Sequence, residues 1–330
     1  MEPSATETMK AVTRHRYGSP DEFKLEDVAI PQPRADEVLI QLRAVSLNLS
    51  DWEGLSGTPF YVRIFGLFRP RYSILGTDLA GSIVSLGAEA SRFAIGDDVY
   101  CDAMGTRSGG FAEYGCVPEK LLSKKPAGLS FDEVATIPQA GIIALQGLGW
   151  GRSIGPGSKV LINGAGGGSG MFAIQMAKAW GAEVTAVDTV HKLQHMKDLG
   201  ADFVIDYADR DYTKGPERYD WILDLVATRS VFAHARALKP GGVYKMVGGT
   251  MGSLFSNLIL GPLFGLLSRK SVGVLGAKCN ADDLSSIVKM IEDGVIRLVI
   301  DKRPSLSAVP DAVALVGAGG SIGKVVVSIS

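Results

Sequence analysis

The chain has 330 residues, and its 34 Lys plus Arg against 35 Asp plus Glu give a formal net charge of -1, which excludes a protein drawn to nucleic acid by counterion release. At roughly 150 residues per domain, the length predicts two domains. Three cysteines, Cys101, Cys116 and Cys279, with no CxxC pair, exclude a disulfide framework or a zinc knuckle and predict a reducing, cytoplasmic setting.

Residues 1–8, MEPSATET, lack the basic and apolar regions of an export signal and read as a frayed leader. From Met9 to about Leu129 the runs MKAVTRHRY, EVLIQLRAVSLN, DLAGSIVSLG and DDVYCDA end in turn residues, which predicts short strands in a barrel-like domain. After FDEVATIPQAGIIALQGLGW the rhythm becomes strand and helix in alternation. KVLIN (159–163) is a strand, SGMFAIQMAKAW (169–180) a helix with Phe172, Gln175, Met176 and Ala179 on one face, and EVTAV (183–187) a strand. TVHKLQHMKDLG is a helix ended by Gly200; FVIDY and DWILDLV are strands. A helix from Arg229 to Leu238, ended by a KPGG turn, leads to the strand GVYKMVGG, and SVGVLGA (271–277) closes the series. Repeated βα units predict a parallel, doubly wound sheet, an α/β fold.

The apolar run 254–267 contains Pro262 and is shorter than the about 20 residues of a membrane-spanning helix. It is expected to be a buried helix or the wall of an apolar cleft, with peripheral membrane contact as the minority alternative. ADDLSSIVKMIEDG (281–294) is a helix and KVVVSIS a final strand. Their rhythm leaves open whether the tail extends the second domain or returns to the first.

Two stretches carry the glycine of a phosphate cradle, LINGAGGGSG (161–170) and LVGAGGSIG (315–323). A cradle needs a strand before the turn and a helix after it, so that free N–H groups face the pyrophosphate. Only the first has that order. Ala165, Gly167 and Gly170 occupy the places of G-x-G-x-x-G, with Gly168 and Ser169 at the helix start; Gly167 admits the phosphates and Gly170 lets helix and strand pack closely. The second stretch follows the helix PDAVALV and precedes a strand, so its glycines end a helix. Asp188, at the end of the next strand, stands where an acid binds the adenosine ribose, and it can also cap the helix that follows. A hydrolase elbow would need a glycine at Met171, and the Tyr-x-x-x-Lys pair of short-chain dehydrogenases does not occur. A nicotinamide dinucleotide is the expected cofactor.

The order MKAVTRHRYGSPDEFKLEDVAIPQPRADEVLIQL, SLNLSDW, ILGTDLAGSIVSLG, FAIGDDVY, GGFAEY and VLINGAGGGSGMFAIQMAKAWGAEV resembles the medium-chain dehydrogenase/reductase superfamily, and within it the zinc-independent quinone oxidoreductase branch. The resemblance runs from about Met9 to Val327. It implies a GroES-like catalytic domain (9–132 and 279–330) around a Rossmann domain (133–278), and a homodimer paired through the strand SVGVLGA. Where zinc alcohol dehydrogenases place three catalytic ligands, this chain has Asn48, Thr77 and Ala140, and the four-cysteine structural lobe is missing. No zinc is expected. His191 and His195 are spaced for a metal but lack the HExxH glutamate, and they read as a solvated face.

Without a Lewis acid to lower an alcohol's pKa, reduction is the easier direction: a quinone or α,β-unsaturated carbonyl takes hydride at carbon while donors meet the oxygen. The resemblance gives Asn48 the donor role and Asp51 an orienting one, with helix capping as the plain alternative for both. Gln139 is expected against nicotinamide or substrate, and Ala227 and Gly248, at strand ends, against the nicotinamide riboside. Lys324 is expected to oppose the pyrophosphate, or to be a surface lysine. Asp188 favours NADH, whereas Lys192 and Tyr207 match positions that bind the 2′-phosphate of NADPH, so the cofactor is written NAD(P)H. The aromatic and arginine-rich segment 58–76 suggests a lid over an apolar substrate. Two other readings remain: a weakly catalytic NAD(P)H-binding redox sensor or interaction protein, and an enoyl-thioester reductase using Arg63, Arg69 and Arg71.

Overall fold

The computed structural model describes residues 7–107 and 109–329. Residues 1–6 of the expected leader lie outside them, and Thr8, counted in that leader, already opens the first strand. The strands in chain order are β1 (Thr8–Thr13), β2 (Lys24–Ala29), β3 (Glu37–Ser46), β4 (Asp78–Leu86), β5 (Asp98–Asp102), β6 (Tyr114–Pro118), β7 (Ser123–Lys124), β8 (Lys159–Asn163), β9 (Glu183–Asp188), β10 (Phe203–Asp206), β11 (Tyr219–Asp224), β12 (Leu238–Met246), β13 (Ser271–Val274), β14 (Ile300–Lys302) and β15 (Lys324–Ser328).

Two compact units result. One runs to Gln139 and takes back Cys279–Leu284 and Ile300–Ser330; the other holds Ala140–Lys278 and Ser285–Val299. In the first, β14-β15-β3-β4-β5-β7 form one sheet with β6 also on β3, and β1 pairs β2. Alternating side chains of the sheet, Val38, Ile40 and Leu42 on β3, Leu79 and Ile83 on β4, Val325 and Val327 on β15, build a single core. The final strand thus returns to this unit, Val327 opposite Val45.

The second unit is a parallel sheet ordered β10-β9-β8-β11-β12-β13. Central β8 is buried along nearly its whole length, as a strand covered on both faces must be. The switch in strand order beside β8 is where doubly wound folds bind ligands.

Three local expectations change. The helix Gly168–Ala179 is buried from Gly170 to Ala177 rather than along one stripe, because its sequence is apolar all round. The KPGG segment does not separate helix from strand. β12 starts directly at Leu238, and its pairing with β11 skips from Leu238 to Val243, so Lys239–Gly242 swell out as an irregularity within it. The segment 285–299, predicted in the catalytic domain, belongs to the parallel-sheet unit. Gln175 on the helix Gly168–Ala179 ties it there, its Nε2 donating to Arg297 O (3.1 Å) and its Oε1 accepting from Arg297 N (2.8 Å).

The apolar run lies on the helix Met251–Ser268, capped by Thr250, whose Oγ1 accepts from Ser253 N at 3.1 Å. Among the described residues no helix is long and apolar enough to cross a membrane. Phe255, Leu258 and Ile259 are exposed on it. The second glycine stretch connects the helix Val309–Gly317 to β15, with Gly319 in the left-handed region at φ 68° and Gly320 N donating back to Leu315 O (2.9 Å).

Candidate functional site

The glycine turn begins at Asn163, the last residue of β8, whose Nδ2 donates to Asp224 Oδ1 (2.7 Å) and Val226 O (3.2 Å). Gly164, at φ 80°, and Ala165 both donate to Val187 O of neighbouring β9, at 2.9 and 3.1 Å. The chain then turns into the helix Gly168–Ala179, where Met171 N makes a bond back to Gly167 O (3.1 Å). The N–H groups of Gly168, Ser169 and Gly170 precede that bond and have no intrahelical acceptor. Added side chains separate two roles for the glycines. A Cβ on Gly170 would lie 2.2 Å from Ala165 O, so helix and turn touch there backbone to backbone. A Cβ on Gly167 would meet nothing nearer than Gly164 O at 3.7 Å. That open side, with the free amides of a helix start beside it, fits an anionic diphosphate.

Asp188 braces this turn. Its Oδ2 accepts from Gly166 N (2.9 Å), and its Oδ1 accepts from Thr189 N (2.8 Å) and lies 3.5 Å from Lys192 Nζ. Both side chains of the pair are nearly buried, and a Cβ on Gly166 would strike Lys192 and Asp188 together. Tyr207 donates its N–H to Asp188 O (3.2 Å) and leaves its ring exposed.

A second constellation sits in the first unit, at one end of β3, β4 and β15. Asp51 lies in the first turn of the helix Leu49–Ser56, and its carboxylate accepts from Asn48 N (2.8 Å) and Gly76 N (3.0 Å). It is 1 % exposed, so it braces the loop and does not reach a ligand. Burial pushes its pKa up to about 6 against the pull of those two N–H groups. Asn48 Nδ2 donates to Asp78 Oδ2 (3.0 Å) and Thr77 Oγ1 (3.3 Å), and its Oδ1 accepts from Lys324 Nζ (2.6 Å). Lys324 Nζ also donates to Leu47 O (2.9 Å) and lies 3.7 Å from Asp78 Oδ2. Burial raises the Asp78 pKa and lowers that of Lys324, each opposed by the other's charge. Gln139 N completes the Asp78 shell at 3.1 and 3.2 Å, and Gln139 Oε1 accepts from Ser50 Oγ (3.0 Å).

Several sequence expectations are corrected by this geometry. Lys324 does not lie on the surface. It is 3 % exposed, with its N–H groups on Leu47 and Asn48. Ala227 N donates to Gly248 O (2.9 Å) and Ala227 O accepts from Ser253 Oγ (3.2 Å), so the backbone of Ala227 is occupied within the fold. Asn48 has both amide protons engaged. Thr77 and Asp78 were missed as functional residues; the signal for them was the GTD tripeptide at the start of β4. Arg63 donates to Gly57 O (2.9 Å) and stacks on Tyr17 at 4.8 Å, and Arg71 stacks on Tyr72 at 5.4 Å.

The donor set does not fit zinc. At the three positions where the resemblance would set zinc ligands stand an amide (Asn48), a hydroxyl (Thr77) and a methyl (Ala140) in place of thiolate and imidazole. Among the described residues no group of three His, Cys, Asp or Glu is arranged to hold a metal ion.

Comparison with known proteins agrees with this architecture. The family described as alcohol dehydrogenase GroES-like domain matches residues 34–127, and the family described as zinc-binding dehydrogenase matches 199–327. The chloroplastic quinone oxidoreductase of Triphysaria versicolor is 33 % identical, over 98 % of this chain and 99 % of its own length. The 2-methylene-furan-3-one reductase of Solanum lycopersicum is also 33 % identical, over 97 % of this chain and 79 % of its own. The structure of the quinone oxidoreductase from Coxiella burnetii superposes with a TM-score of 0.85 at 27 % identity, covering 98 % of this chain and 100 % of that one.

Proposed function

Because the chain belongs to the medium-chain dehydrogenase/reductase superfamily, in its quinone oxidoreductase-like branch, we propose that it is an NAD(P)H-dependent oxidoreductase reducing a quinone or an α,β-unsaturated carbonyl without zinc. The observation that carries the reading is the glycine turn: strand, turn and helix in cradle order, Gly170 closed against Ala165 and Gly167 open beside free helix amides. When bound there, a reduced nicotinamide dinucleotide supplies the hydride. Gly168 and Ser169 hold the diphosphate. Asp188 fixes the turn through Gly166 and keeps Lys192 beside it, so the same two side chains decide between a ribose hydroxyl and a 2′-phosphate.

For an enone, the hydride forms a C–H bond at the β-carbon, the C=C pair moves toward the carbonyl, and the oxygen becomes an enolate oxygen. Water then supplies a proton to the α-carbon. The protein's part is to hold a hydrogen-bond donor where that charge develops, and the polar edge of the first unit around Thr77 is where it would come from. A homodimer joined along β13, one of the two edge strands of the parallel sheet, belongs to the same proposal. So does a cytoplasmic location.

The test is oxidation of NADPH and NADH by the purified protein with a benzoquinone or cyclohexenone acceptor, with and without a chelator. Acceptor-dependent oxidation unchanged by the chelator is expected. Loss of turnover on chelation, or cofactor binding without turnover with any acceptor, overturns the reading.

A further inference from the structure

We propose that Thr77 is a catalytic hydrogen-bond donor to the substrate's carbonyl oxygen, and that Lys324, acting through the Asn48 amide, is the residue that positions it. The inference rests on the reductase reading above and assigns the donor that meets the developing charge.

The chemistry of each partner fixes the direction of every bond. A lysine ammonium only donates, so Lys324 Nζ, 2.6 Å away and 3.7 Å from the Asp78 carboxylate, requires Asn48 to turn its oxygen toward it. Nδ2 then faces the other way, onto Asp78 Oδ2 and Thr77 Oγ1. An amide nitrogen only donates, so at 3.3 Å Thr77 must accept with an oxygen lone pair. The Thr77 proton points elsewhere, and no described residue accepts it. Asn48 has no proton left for a ligand, whereas Thr77 has one. Asn48 is buried and Thr77 only partly so, and Thr77 is the member of the chain with the free donor.

Its backbone is held firmly. Ala103 N donates to Thr77 O at 2.7 Å, and Asp78, the next residue, is gripped by Asn48 and by Gln139 N. The result is a chain of donors, Lys324 to Asn48 to Thr77 to substrate oxygen. Each bond polarises the next in a buried, low-dielectric setting. The hydroxyl shares its hydrogen with the oxygen and does not give it up, so the balance of hydride, electron pair and water-derived proton stated above is unchanged.

The experiment compares Thr77→Val, Thr77→Ser, Lys324→Met and the T77V/K324M double variant in NADPH oxidation with cyclohexenone and benzoquinone, alongside NADPH affinity by fluorescence. T77V keeps the shape of the side chain and removes the donor. Its kcat is expected to fall about 100-fold, in line with loss of one oxyanion donor, with NADPH affinity moved less than about twofold. T77S, which restores the hydroxyl, recovers most of the loss. If Lys324 acts through Thr77, the double variant is little slower than the slower single variant; independent effects multiply. T77V turning over within about threefold of the parent overturns the donor role, and multiplicative losses overturn the positioning role. Should K324M fail to fold, the T77V and T77S pair still decides the donor role, while Lys324→Arg, keeping a donor to Asn48 Oδ1, decides the positioning role by matching the parent or T77V. A parent that oxidises NADPH with neither acceptor sinks the reductase reading and this inference with it, which distinguishes the two failures.

Discussion

The glycine turn of the second unit and the polar cluster of the first do comparable work by opposite means. The turn is local: Asn163 to Lys192 contains the strand end, the free amides, the acid and the lysine. The cluster joins residues up to 277 positions apart in the chain, and only sheet register brings them together. β3 is the middle strand of three, with Ser46 opposite both Asp78 on β4 and Val326 on β15. The end of β3 therefore meets the start of both neighbours, so Asn48, Asp78 and Lys324 share one edge. A local site depends on backbone conformation, and a register site depends on side chains that satisfy one another in the absence of water.

The sharpest break between fold and ligand runs through the turn itself. Gly170→Ala forces a Cβ to within 2.2 Å of a backbone oxygen that cannot move aside. It should destabilise by about 3 kcal/mol or more, read as a lowered Tm and poor soluble yield. Gly167→Ala meets no protein atom closer than 3.7 Å, at an extended φ of -92° that alanine adopts freely. Its Tm should match that of the parent while NADPH affinity falls about tenfold or more, since the methyl fills the face meant for phosphate. In the second stretch, Gly320→Ala presses only on the end of the Leu315 side chain, at 2.8 Å, and should change neither. Parent-like NADPH binding by G167A would move the cofactor away from this turn.

The same contrast explains what was legible in the sequence. The cradle could be read because its evidence is contiguous, an apolar run followed by glycine and then a helical pattern. The fate of the tail could not be read from rhythm, and the return of β15 to β3 came through family resemblance. Lys324 looked like a surface residue because a strand-opening lysine carries no local mark of burial. Its partners, Leu47 O and Asn48 Oδ1, are visible only after strand pairing. Asp51 was legible as a possible cap, and it does accept the Asn48 N–H. The segment 285–299 was misassigned because Gln175, the residue that ties it to the other unit, reads in sequence as one more position on a helix face.

Asp188 sharpens the comparison, since it belongs to the local site yet is as occupied as any residue of the cluster. Its carboxylate braces Gly166 and holds Lys192 at 3.5 Å. Asp188→Ser removes a negative charge that repels a 2′-phosphate and frees the ammonium to meet one. The ratio of NADPH to NADH affinity should rise about tenfold, close to 1.4 kcal/mol, as measured by titrating both reduced cofactors. A ratio that stays put would take both residues out of cofactor choice and leave them as a brace for the turn.

The smallest expected effect tests the cost of burying charge in the cluster. Asp51 has its pKa raised to about 6 from an ordinary 3.8, chiefly by burial. Between those two values the folded state binds the proton more readily than the unfolded chain, so stability rises as pH falls through 6 toward 3.8 and the gain is absent above 6. From pH 7 to pH 5 the Asp51 contribution amounts to about 1 kcal/mol in favour of the acid side. Asp51→Asn has no proton to bind and lacks that increment, while its amide oxygen can still accept from Asn48 N or Gly76 N. The measurement is denaturant unfolding of parent and D51N at both pH values. Other groups titrate in the same range in both proteins, so the difference of differences isolates this carboxyl. Equal pH dependence in the two would mean that the N–H groups of Asn48 and Gly76 offset burial fully.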